Sequence, residues 1–211
     1  MPTCLPEIIY EEIDNIPVLD SNQSLYQIPL YKNEDFFDNI ESRVAFVKGC
    51  EKLIRTTDKY KKYINYLKRL VGLNHCSVLS NLTDDDATIE MHHGPILTLY
   101  DYCDIAVEYF LIKKWNISTF RIADYILDEH YANRIQVVML STTVHQEVHE
   151  REIFINLKQA FGDLNAFIKK HRDAITEEYI DKIDRYIDRS NLYDSNDFGV
   201  LTLSKTLYNE K

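Results

Sequence analysis

Four of the seven histidines in this 211-residue chain fall in two short stretches, His92 and His93 in "EMHHG" and His145 and His149 in "VHQEVHE". Residues four apart on a helix share a face one turn apart, so His145 and His149 are placed to bind one metal ion together. Gln146, not glutamate, follows His145 directly, which excludes the zincin arrangement. His92 and His93 are neighbours, and neighbouring residues of a regular strand point to opposite faces. They cannot both ligate one ion. The chemistry this predicts is divided: His92 joins His145 and His149 on a metal, while His93, at the end of the strand, takes a proton from water as a general base. An unperturbed imidazole titrates near neutrality and needs little tuning for that task. Three imidazoles suit Zn²⁺, Ni²⁺ or another transition ion better than Mg²⁺, so one divalent ion is expected, with Zn, Ni, Mn and Mg all to be tried. Glu90 shares a strand face with His92 and can orient that imidazole, although a solvated strand residue accounts for it equally simply. Asp84, Asp85 and Asp86 read as a turn before the strand.

The elements that must position these side chains can be read from the hydrophobic pattern. "EIIYEEI" and "SLYQIPLY" are strand-like pieces of an acidic N-terminal segment. From Glu34 to about Leu70 apolar residues recur at three- and four-residue spacing, as in Phe36, Phe37, Ile40, Val44 and Val47, which predicts helix ending at Gly72. "CSVLSNLTDDDATIEMHHGP" reads as strand, polar turn at Thr83–Asp86, and a second strand from about Ala87 to His92, with Gly94 and Pro95 ending it. Thr98 and Asp101 form a variant capping box before the apolar helix "LYDYCDIAVEYFLIKKW". Ser118 caps a further helix reaching Asn133. "RIQVVML" is a β-branched strand. "STTV" opens the helix that carries His145 and His149. Ile153, Leu157, Phe161, Leu164 and Ile168 predict that helical structure continues on one face. "TEEYIDKIDRYIDR" is a final amphipathic helix, "SNLYDSNDFG" a loop, and "VLTLSKTLY" a tail strand.

Composition sets the outer limits. With 45% hydrophobic and 27% charged residues, and only five glycines and five prolines, the chain should bury a core. It holds no apolar run long enough for a membrane span, and its start lacks the pattern of a signal peptide. No membrane partner and a cytoplasmic location follow as expectations. Cys4, Cys50, Cys76 and Cys103 lack any CxxC spacing and read as free thiols. The formal net charge is −10, yet residues 43–69 carry nine Lys/Arg against Glu51 and Asp58, a net of +7. This arm, with Lys59, Lys61, Lys62, Lys68 and Arg69 at its basic end, either contacts a polyanion such as DNA or is an ordinary solvated helix face.

Strand with "HH", later strand with Asn, then helix with His-x-x-x-His resembles the layout of the HNH nucleases, the ββα-metal or His-Me finger group. The matching residues are "EMHH" (90–93), "NRIQVVMLSTTVH" (133–145) and the "VHEREI" beyond, and the HisHis version is similar to the nuclease domains of DNase colicins and to HNH proteins of tailed phages. The resemblance implies His92, His145 and His149 as metal ligands, His93 as general base, and Asn133 as the amide that pins the loop carrying the base. Gln136, nine residues before His145, could supply that amide instead. The implied fold class is α+β and mostly helical, with a ββα-metal core at 73–171 containing a helical insertion at 96–132. Residues 1–72 form an acidic segment and basic helical arm, and 172–211 a C-terminal helix and tail. The implied function is metal-dependent endonucleolytic hydrolysis of DNA phosphodiester bonds by a phage-encoded protein in the host cytoplasm. Two alternatives stand beside it: a catalytically inactive structural or interaction protein that keeps the metal site, and a helical structural-metal domain unrelated to HNH.

Overall fold

A computed structural model describes residues 8–10, 17–19 and 31–195 of the chain. Near the N-terminus β1 (Ile8–Tyr10) pairs antiparallel with β2 (Pro17–Leu19), so a strand forms within "EIIYEEI" as expected. The "SLYQIPLY" and "VLTLSKTLY" pieces lie outside the described residues, apart from Tyr31 at the end of the first.

The core is helical. α1 (Glu34–Asp38), α2 (Ile40–Thr56) and α3 (Asp58–Tyr66) follow one another, and a π turn over Leu67–Val71 ends at left-handed Gly72. Helix α2 buries Val47, Cys50 and Ile54, three positions on one face. That face packs on α4 (Leu99–Ile112) and α5 (Thr119–Tyr131). Helix α4 is apolar nearly all round, burying Tyr102, Cys103, Ile105, Ala106 and Val107, because it lies inside the molecule rather than on its surface. Thr98 and Asp101 make the full capping box: the Thr98 hydroxyl accepts from the Asp101 N–H, and the Asp101 carboxylate accepts from the Thr98 N–H at 2.7 Å. One hydrophobic cluster runs from Phe37 to Ile183 and crosses residues 72 and 171, where the sequence suggests boundaries. Cys50, Cys76 and Cys103 are buried free thiols.

Against this helical mass lies one two-stranded antiparallel sheet, β3 (Ile89–His93) with β4 (Val137–Ser141), in the register His92–Val138 and His93–Val137. Helix α6 (Thr142–His149) follows β4 without a loop. The fold is therefore mostly helical with a small α+β element, as expected. Residues 76–81, expected as a strand, instead turn on themselves. Cys76 N–H donates to the Leu82 carbonyl and Leu82 N–H to the Leu79 carbonyl, leaving only Ser77 N–H to reach β4, at Met139 O.

A second departure follows His149. The apolar spacing from Ile153 to Ile168 does not continue the helix. Arg151 is left-handed with φ 66°, and Glu152 N–H returns to the Glu147 carbonyl at 2.9 Å, a Schellman closure that stops α6. Residues 150–163 instead run without an α-helix, through a 3-10 turn at Leu157–Gln159 and an antiparallel bridge in which Phe161 and Val137 exchange backbone hydrogen bonds at 2.8 Å. Gly162 lies so close to the segment leading into β4 that a Cβ there would sit 2.2 Å from the Ile135 carbonyl oxygen. Helix α7 (Leu164–Lys170) begins only after Asp163, which caps it. The last helix, α8 (Glu177–Ser195), runs through the first residues of the expected loop.

Candidate metal centre

Strand β3 alternates as its sequence requires. Ile89, Met91 and His93 face the core, and Glu90 and His92 face outward. Because α6 starts where β4 ends, its first two turns lie against that outer face, and His145 and His149 come over His92. One ligand nitrogen from each of the three rings lies within 4.8 Å of the other two. His145 Nε2 and His149 Nε2 are 3.0 Å apart. Nitrogens about 2.1 Å from a tetrahedral zinc ion are about 3.4 Å from one another, so small side-chain movements bring the three nitrogens to that spacing.

The hydrogen bonds supply the tautomers. Glu90 Oε2 accepts from His145 Nδ1 at 2.6 Å, which leaves the His145 Nε2 lone pair directed into the cluster. Glu90 thus holds His145, across from its own strand, and not His92 as its position along β3 suggests. His149 Nε2–H donates to that lone pair, and a metal ion would take the proton's place. Burial, reinforced by the neighbouring His145 and His149, pushes the His92 imidazole down to about 4, so it is neutral and ready to ligate at physiological pH. Burial and His145 also lower His149. A set of three imidazoles backed by one carboxylate fits a borderline-soft divalent ion.

His93 is placed elsewhere. Its ring is only 5% exposed and lies on the core side of β3, stacked near Tyr60. His130 Nδ1–H donates to the Ile126 carbonyl at 2.7 Å, so His130 Nε2 accepts, and His93 Nε2–H donates to it at 2.9 Å. The remaining His93 Nδ1 is buried without a hydrogen-bond partner. Burial and His130 push His93 well below the usual histidine range. The alternation of faces is as expected, but the second face opens on α3 and α5 rather than on solvent, so the structure does not bring His93 to the triad. Nothing in the sequence marks His130 as its partner.

Asn133 is exposed and left-handed (φ 56°) just beyond α5, where its carbonyl accepts from Asp163 N–H at 2.7 Å. Asparagine suits that conformation and ends the helix. β3 is held by its ladder with β4, which Gly94 N–H extends by donating to the Gln136 backbone carbonyl at 3.3 Å. Part of the basic arm is engaged within the molecule. Lys59 pairs with Asp124 and Asp128 at 2.9 and 2.6 Å, Lys61 lies 3.6 Å from Asp58, and Lys68 donates to the Ile89 carbonyl. Lys62 and Arg69 stand exposed on the same arm.

Fold and site together define a mostly helical protein in which a strand pair and the helix after it gather a histidine cluster able to coordinate a metal. Over residues 5–208 the chain matches the model of the bacteriophage G278-like virion protein family, and it belongs to that family. No curated protein and no solved structure matches it. Among the described residues no helix is long and apolar enough to cross a membrane.

Proposed function

We propose that this chain is a metal-binding virion protein, in which one divalent transition ion held by His92, His145 and His149 fastens α6 to the β3–β4 pair. The observation that carries this reading is the convergence of the three imidazoles, with Glu90 fixing the His145 tautomer so that its free nitrogen points at the other two. The ion would join His92 to two residues more than fifty positions further along the chain, and its binding energy would add to the stability of the fold. The test is metal content. Purified protein dialysed against Zn²⁺, Ni²⁺, Mn²⁺ or Mg²⁺ should retain about one equivalent of Zn²⁺ or Ni²⁺ and release it on His145→Ala. Wild-type protein that retains no ion sinks the reading.

A second reading, the HNH-type endonuclease acting on DNA, is favoured by one specific observation: strand, strand and ligand helix come in the order of that group, with three protein ligands and so a coordination position left for water or a phosphate oxygen. Such an ion would polarise phosphate and activate water. The chain's own residues would hold it and orient the phosphate, and His93 would act as base only after leaving its bond to His130. Plasmid nicking in each metal, with wild type beside His149→Ala and His93→Ala, decides it. Nicking lost in both variants supports the full assignment. Nicking lost only in His149→Ala leaves the metal as catalyst and removes His93, and no nicking by the wild type removes the reading.

A further inference from the structure

Away from the metal centre the surface carries a knob and a pocket, each offering what the other lacks. The knob is where α3 runs into the π turn at Leu67–Val71, and Lys62, Tyr66, Arg69 and Leu70 are all exposed there. Leu70 is 79% exposed, the highest value of any large apolar residue described. π turns are rare and recur at functional sites. Neither Lys62 nor Arg69 has an ion-pair partner among the described residues. The N–H groups of Gly72 and Leu73 both return to the Leu67 carbonyl, which leaves the carbonyls of Arg69, Leu70 and Val71 without a backbone donor among the described residues. The knob is thus apolar at its tip, cationic at its edge, and carries the negative end of a helix.

The pocket, of about 440 Å³, lies between the 79–88 loop and the start of α6. Leu79, Leu82, Ala87 and Val144 give it apolar walls. Ser141 lines it too and is only 4% exposed, yet its hydroxyl does not cap α6 and has no hydrogen-bond partner among the described residues. The N–H groups of Thr143 and Val144, at the positive end of α6, have no backbone acceptor among them either. The rim is acidic. Glu147 stands on the wall, and Asp84 and Asp85 are exposed on the turn between Leu82 and Ala87. None of these three carboxylates has an ion-pair partner among the described residues.

We propose that the pocket receives the Leu70 knob of a second copy of this chain. Leu70 packs on the apolar walls, the carbonyls of 69–71 accept from Ser141 and the free N–H groups at the start of α6, and Arg69 and Lys62 meet Glu147, Asp84 and Asp85. Three independent properties match at once: an apolar tip with an apolar pocket, a helix's negative end with a helix's positive end, and cations with carboxylates. Knob and pocket are different surfaces, so the contact is heterologous and can pass from copy to copy. It does not depend on the metal, since none of the three triad histidines lines the pocket.

The test is sedimentation velocity on the full chain from about 10 μM to about 1 mM, because a contact this small falls at the weak end of protein association. The wild type should associate as concentration rises. Leu70→Asp changes a side chain the fold leaves outside and should weaken association at least about tenfold, since its charge would enter an apolar pocket with an acidic rim. Arg69→Glu and Glu147→Arg should each weaken it, and the double variant Arg69→Glu/Glu147→Arg should recover it, which misfolding or lost solubility cannot produce. Leu70→Asp keeps its pocket and Glu147→Arg keeps its knob, so the two mixed should form a one-to-one complex that neither forms alone. All variants should melt within a few degrees of the wild type. A wild type that stays monomeric throughout overturns the proposal, as does a Leu70→Asp variant that associates like the wild type. Association lost in Glu147→Arg but kept in both Leu70→Asp and Arg69→Glu would give the pocket another occupant and overturns it too.

Discussion

Replacing His149 with alanine isolates the metal from the fold. The His149 side chain is exposed at the end of α6, bonded only to His145. Alanine is a better helix former and leaves no cavity there, so without metal the change should cost no more than about 0.5 kcal/mol. With metal the difference is large. An ion that binds only the folded state at a hundred times its dissociation constant stabilises by about 2.7 kcal/mol. For a domain of this size each kcal/mol moves the melting temperature by roughly 2–4 °C, so zinc should raise the wild type by about 5–10 °C. Removing one of three ligands drops the affinity by orders of magnitude, and the increment should vanish in His149→Ala. Differential scanning fluorimetry of zinc-free protein, with and without zinc, reads both numbers. His75→Ala serves as control, since His75 lies apart from the cluster, bridging to Thr83, and should leave the increment whole. An undiminished zinc increment in His149→Ala, or none in the wild type with zinc, nickel or manganese, would refute the triad as a binding site.

Three other outcomes follow from the same geometry. Glu90→Gln, which keeps the shape but removes the charge facing His145 Nδ1, should weaken zinc binding about tenfold in chelator competition and leave the fold unchanged; unaltered affinity would remove Glu90 from the site. Gly162→Ala should destabilise by roughly 3 kcal/mol or more in urea unfolding, since the new methyl group meets the backbone of Ile135 and Gln136 just before β4 and φ is 112°; a wild-type midpoint would show that the close approach can relax. His171 donates from Nδ1 to the Phe167 carbonyl and accepts from the Tyr125 hydroxyl at 2.7 Å, and burial lowers it from its ordinary value. Its unfolded form therefore takes up a proton first, so its contribution is intact above about pH 6.5 and is lost as pH falls from there through the folded value. In chelator, the drop in urea midpoint between about pH 7 and pH 5 should be smaller for His171→Gln than for wild type, and an identical drop would remove His171 from the acid response.

The metal cluster was legible in the sequence because each of its parts obeys a local rule. The four-residue spacing in "VHQEVHE" needs only a helix, and the alternation of "EMHH" needs only a strand. What lay behind each face was not legible. That His93 meets His130 depends on α3 and α5 crossing beneath β3, a contact between residues 37 apart that no local pattern encodes. The helix expected through Ile153–Ile168 fails for a similar reason. Its apolar spacing is real and most of those residues are at least partly buried. The chain path is set instead by the left-handed Arg151 that closes α6 and by Gly162 pressed on Ile135. Thr98, Ser118 and Asp163 cap helices through side chains three residues from their targets, so those starts depend on sequence alone.

The position of α4 and α5 changes how the site should be understood. Between His93 and β4 they look like an insertion into a compact metal-binding unit, yet they form the centre of the core, packed by α2 and buried at nearly every inward position. The strand pair is the attachment and the helices are the body. β3 joins the two, with Ile89, Met91 and His93 set into the helical core and Glu90 and His92 offered to α6. Loss of the ion should therefore loosen α6 and the turn at Arg151 while leaving the His93–His130 bond and the helical core in place. Hydrogen exchange should show this division directly: without zinc, amides of residues 142–152 lose protection, and those of α4 and α5 keep it. Protection lost together across both regions would mean that the metal holds the whole molecule, and would return the strand pair to the centre of the fold.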